Sequence, residues 1–86
     1  MSRIIVDVRE SFEFKMGHVK DAVNIPMGKF AGGLPKQLED VDKDTEIIVY
    51  CLSGSRASGV VHVLQRQGFT NVINGINKST VQAKYL

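Results

Sequence analysis

One cysteine, no tryptophan, two prolines and no long apolar run: the 86-residue chain is set apart first by what it has little of. A single thiol, Cys51, cannot close an internal disulfide, so no covalent staple supports the fold. With only His18 and His62 to join it, Cys51 also falls short of a zinc ligand set, and no metal is expected. No stretch is long and apolar enough to cross a bilayer as a helix, so no membrane association is expected. The early run Ile4-Ile5-Val6 is too short for the core of a signal peptide. The expected location is therefore cytoplasmic, or periplasmic if a signal was removed beforehand. Charge of one sign is scarce as well. Eleven basic and nine acidic residues are interspersed and leave a formal +2, which argues against a nucleic-acid surface.

What is present suits one small domain, residues 1–86, with no linker and too many hydrophobic residues, 43%, for disorder. The chain reads as alternating strands and helices. Arg3 to Arg9 opens with the β-branched run Ile4-Ile5-Val6, as in a strand covered on both faces. Ser11 is placed to cap a short helix from Phe12 to Met16, with Phe12 and Met16 on one face and Gly17 as its stop. Val23-Asn24-Ile25 is a short second strand closed by Pro26. Leu34 and Leu38 stand at helical spacing behind Pro35. Ile47 to Tyr50 is the most continuously apolar strand. Ala57, Val60, Val61 and Leu64 then make one helical stripe that Gly68 ends. Phe69 to Ile73 predicts a fourth strand, Asn74-Gly75 a turn, and Asn77 to Thr80 the cap of a last helix over 81–86. Such alternation predicts a parallel α/β sheet of about four or five strands with helices on both faces.

Cys51 stands where the third strand meets the helix of the Ala57 to Leu64 stripe, and Leu52-Ser53-Gly54-Ser55-Arg56 follows it. A helix N-terminus and a neighbouring cation both lower a thiol's pKa, so this cysteine is the candidate nucleophile. The backbone N–H groups from Leu52 to Arg56 can form an anion nest. In parallel sheets ligands bind beyond the C-terminal strand ends, where Asp7, Arg9 and Cys51 all lie.

Three stretches resemble the single-domain rhodanese family of sulfurtransferases. They are Val6-Asp7-Val8-Arg9-Glu10 with Glu13-Phe14; Gly17-His18-Val19 with Ala22-Val23-Asn24-Ile25-Pro26; and Val49-Tyr50-Cys51 with Ser53, Gly54 and Arg56. The resemblance implies a rhodanese-like sheet and a thiosulfate:cyanide type of sulfur transfer through a Cys51 persulfide. In that reading Cys51 and Arg56 are catalytic, and Leu52, Ser53, Gly54 and Ser55 bind the substrate. The expected partners are a small sulfur donor such as thiosulfate and a cyanide, thiol or protein acceptor. No cofactor is expected, and the chain is expected to act as a monomer. It departs from the family at Leu52, where a basic residue is common, at Asp21, where glycine is common, and at Asn74-Gly75-Ile76-Asn77, which replaces a glycine pair.

Two other readings compete. A cysteine phosphatase or arsenate reductase of similar shape needs a loop of about five residues to wrap a phosphate and a bidentate arginine. Only four residues separate Cys51 from Arg56. A non-catalytic binding module of this shape usually lacks the cysteine. Asp7 and Arg9 read as structural, with Glu10 or Glu13 as the partner of Arg9. His18 reads as a loop anchor and His62 as a solvated surface residue. Ser53 and Ser55 are read first as helix caps. Met27 and Phe30 are placed at the mouth of the site.

Overall fold

The computed structural model describes residues 3–86. Four parallel strands, β1 (Arg3–Asp7), β2 (Val23–Asn24), β3 (Glu46–Cys51) and β4 (Val72–Asn77), form one sheet in the order β2-β1-β3-β4. The helices are α1 (Ser11–Lys15), α2 (Ser55–Arg66) and α3 (Lys78–Tyr85), with short 3-10 turns at Met27–Phe30 and Lys36–Leu38.

The two-residue period of a strand divides the apolar runs between two cores. Val6 and Val8, with Ile47, Val49 and Cys51, face α2 and bury Ala57, Val60 and Leu64 of its stripe. Phe30 and Leu38 complete that side. Ile5, Ile48 and Tyr50 point the other way, onto Val19 and onto Val81 of α3. This explains why β1 and β3 lack polar alternation: both faces are covered, by helices on opposite sides.

Several local expectations change. Asn74-Gly75 is not a turn but part of β4. The ladder runs Val49 to Asn74 and then Tyr50 to Ile76, so Gly75 is the extra residue of a bulge. Turn-forming residues also serve bulges, and periodicity alone does not separate the two. Gly75 fits because a Cβ there would lie 2.6 Å from Val81 Cγ2 and 2.8 Å from Ile48 Cγ2. The 34–39 segment makes only one 3-10 turn, enough to bury Leu38. The N-cap of helix α1 is not Ser11 but Glu10, whose carbonyl accepts the Glu13 N–H at 3.0 Å and whose N–H donates to Glu13 Oε1 at 2.8 Å. Phe12 and Met16 do share a face, but it is exposed, at 65% and 85%.

Candidate functional site

The site forms where β3 runs out into α2. Cys51 is the last residue of β3, and three residues later Gly54 is the N-cap of α2. Gly54 has φ 93°, a left-handed conformation that glycine adopts without steric cost. It turns the chain sharply enough to bring the loop's amides back over the sulfur. The Gly54 N–H donates to Cys51 Sγ at 3.0 Å. Among the described residues no side-chain oxygen caps α2; the cysteine sulfur takes the place of one. Burial pushes the thiol up, but the N–H groups of Ala57, Ser53, Gly54 and Arg56 outweigh it and hold Cys51 below the ordinary thiol value. The thiolate is favoured by aligned amides in a dry setting, where such bonds are strongest.

Arg56 is the cation of the loop, and it is engaged. Its guanidinium donates to Glu13 Oε1 at 2.9 Å and to Oε2 at 3.3 Å, joining α2 to α1. This pair holds the Glu13 carboxyl below its usual range. Glu13 therefore partners Arg56, and not Arg9. The pair uses two of the five donors of the guanidinium. Ser53 and Ser55 do not cap the helix; their hydroxyls meet each other at 3.3 Å on the exposed loop. Leu52 is 58% exposed beside the thiol.

Asp7 and Arg9 lie at the same end of the sheet but on its other face. Asp7 is opposite Tyr50 in the ladder, one residue out of phase with Cys51. Arg9 clasps the buried Asp7 carboxylate through Nε and an Nη at 2.7–3.1 Å and donates to the Gly17 carbonyl. The Tyr50 hydroxyl donates to Asp7 Oδ2 at 2.8 Å and accepts the Val19 N–H at 3.0 Å. The whole cluster pins the 8–19 segment to the sheet and has a structural role. His18 stacks on Phe14 and bonds its carbonyl through Nδ1 at 2.8 Å, the loop anchor expected of it. His62 is exposed. Met27 and Phe30 line an apolar hollow of about 310 Å³ against Val60 and Val63 of α2, and Cys51 is not part of its wall.

Two contributors were not singled out from sequence. Tyr50 was signalled by a hydroxyl in an aliphatic strand, which needs a partner once buried. Asn74 was masked by its resemblance to a turn. Its Nδ2 donates to the Gly54 carbonyl at 3.0 Å.

Comparisons with known proteins agree with this geometry. The family model described as Rhodanese-like domain matches residues 1–77. A protein of Allochromatium vinosum named sulfurtransferase is 31% identical over 71 residues, covering 83% of this chain and 63% of that one. The tRNA uridine(34) hydroxylase of Sodalis glossinidius is 35% identical over 71 residues, covering 80% of this chain but 20% of its own length. The chain thus spans between a fifth and somewhat under two thirds of these relatives. Among solved structures, a rhodanese with anions from E. coli superposes with a TM-score of 0.77 at 27% identity, covering 92% of this chain and 91% of that one.

Proposed function

Since the chain belongs to the rhodanese-like domain family, we propose that it is a sulfurtransferase that carries a sulfane sulfur on Cys51. The Cys51 thiolate attacks the outer sulfur of thiosulfate or a similar sulfane. The donor's S–S bond breaks as a new one forms, and sulfite leaves with the electron pair. The Cys51 persulfide then gives its terminal sulfur to cyanide, a thiol or a protein thiol, and the thiolate returns. The cycle is complete without a metal or an organic cofactor. Leu52, Ser53, Gly54 and Ser55 form the cradle for the donor and the persulfide. Arg56 orients the anionic donor with the N–H groups that Glu13 leaves to it.

The observation that carries this reading is the position of the sulfur. It lies at the N-terminus of α2, 3.0 Å from the Gly54 amide, with its pKa held down by four backbone N–H groups. The thiol is buried, at 1% exposure, but backbone amides line it and favour the thiolate, the form that acts as a nucleophile. The sulfurtransferase name of the Allochromatium vinosum relative supports the reaction class.

The test is thiocyanate formation from thiosulfate and cyanide. The wild type turns over, Cys51→Ser is inactive, and Arg56→Ala shows a raised KM for thiosulfate with a smaller change in kcat. Undiminished thiocyanate formation by Cys51→Ser refutes the proposal.

A further inference from the structure

The bulge in β4 reaches the sulfur loop at Gly54, where the Asn74 side-chain amide donates to the Gly54 carbonyl at 3.0 Å. We propose that Asn74 is a positioning residue for Cys51: its side-chain amide is a strut from the sheet that fixes Gly54, and through Gly54 the amide that faces the sulfur. The inference goes beyond the sulfur-transfer reading in naming a residue that never contacts the reacting atoms.

Gly54 carries much of the geometry and has no side chain to hold it. Its N–H meets Cys51 Sγ at 3.0 Å, and its φ of 93° lies where only glycine is at ease. Its carbonyl accepts the Ser58 N–H at 2.8 Å, the first helical bond of α2, and also Asn74 Nδ2 at 3.0 Å. The second of these comes from outside the loop. Asn74 is itself anchored, because its backbone is in register with Val49, two residues before the cysteine. Its Oδ1 accepts the Ile76 N–H at 2.9 Å. With a carbonyl facing its NH₂ and an N–H facing its oxygen, the amide has one orientation that satisfies both ends.

Ile76 supports the same arrangement. It has φ 73°, a left-handed conformation that is an outlier for a β-branched residue. Such strain persists only where the surroundings impose it. Here the imposed conformation directs the Ile76 N–H at Asn74. It also sets Ile76 Cγ2 and Asn74 Nδ2 at 3.5 and 3.6 Å from the point a Gly54 Cβ would occupy. Gly54 is thus hemmed in by the two residues that flank Gly75 in the bulge. Loss of the strut leaves Cys51 and the other loop amides in place but frees the Gly54 N–H to leave the sulfur.

The test is the pH dependence of Cys51 alkylation by iodoacetamide in the wild type, Asn74→Ala and Asn74→Asp, with a thermal melt of each. The charged groups coupled to this thiol, Arg56 on α2 and through it Glu13 on α1, stay unchanged in all three. Asn74→Ala should move the midpoint toward the ordinary thiol value and slow alkylation at neutral pH several-fold. Asn74→Asp, of nearly the same size, loses the donor and adds a negative charge, and should shift it further. The limiting rate at high pH should be unchanged. Loss of stability alone does not move this midpoint. An unshifted midpoint in a folded variant overturns the proposal, and so does loss of the fold in both variants, which would make Asn74 a purely structural residue. Alkylation uses no sulfur donor. A wild type that never loads sulfur therefore refutes the sulfurtransferase reading alone, and an unshifted midpoint with normal loading refutes only the strut.

Discussion

Replacing Tyr50 by phenylalanine removes a single oxygen from the core of the sheet, and the structure states what that oxygen does. It donates to the buried Asp7 carboxylate at 2.8 Å and accepts the Val19 N–H at 3.0 Å. A hydrogen bond to a charged group contributes about 1.5–3 kcal/mol, and a buried N–H left without a partner costs about 1–3 kcal/mol. The two share one atom and are not additive, so the expected loss is roughly 2–4 kcal/mol. In a domain of this size that lowers Tm by roughly 10–25 °C. The assay is urea and thermal unfolding followed by circular dichroism. A pH series adds a second constraint. Burial pushes the Tyr50 hydroxyl up to about 12. The folded state therefore holds this proton where the unfolded chain has lost it. Its contribution is fully present below pH 10 and is lost as the pH rises towards 12. The gap between wild type and Tyr50→Phe should thus narrow over that window. The hydroxyl lies on the sheet face opposite Cys51, so the thiol's alkylation rate at neutral pH should stay the same. A loss under about 0.5 kcal/mol, the level of an ordinary surface substitution, would refute the reasoning.

Gly75→Ala forces a methyl against Val81, Ile48 and the Val49 carbonyl at 2.6, 2.8 and 3.4 Å, and should destabilise by about 1–3 kcal/mol in the same unfolding assay. Glu13→Gln removes the carboxylate that engages Arg56, and the KM for thiosulfate, read from thiocyanate formation, should fall several-fold. Cys51 has a folded pKa below its unfolded value, so it binds fewer protons folded than unfolded. Its contribution is present in full above the unfolded value of about 8.5 and is lost as pH falls through the folded value. Wild-type stability should therefore rise with pH across that interval, and the slope should be missing in Cys51→Ser.

β1, β3 and the long helix were legible because their signals are local and repeat, whereas the fourth strand, expected over Phe69 to Ile73, runs instead over Val72–Asn77. Ile4 to Val6 and Ile47 to Tyr50 are apolar on consecutive positions, and Ala57, Val60 and Leu64 mark a helical stripe. The place of Cys51, a lone thiol at a strand-to-helix junction, was legible for a similar reason. What escaped depends on contacts between residues far apart in sequence. Glu13 and Arg56 are 43 positions apart, and so are Asp7 and Tyr50. Arg9 had several acidic neighbours to choose from, and only the fold selects Asp7. Asn74-Gly75 satisfies the local chemistry of a turn and of a bulge alike, so register against β3 had to decide between them. Asp7 and Cys51 reach the same end of the sheet. That their side chains take opposite faces follows from the two-residue period of paired strands, and only the observed pairing fixes the phase.

Sulfur carried on Cys51 is the central step of the proposed reaction. Intact mass spectrometry of the protein after incubation with thiosulfate, without reductant, reads that directly. The expected spectrum of the wild type gains the mass of one sulfur atom, which cyanide then removes, and Cys51→Ser shows no gain. A wild type that stays unloaded with thiosulfate and with organic persulfides alike, or a Cys51→Ser variant that gains the same mass, would contradict it.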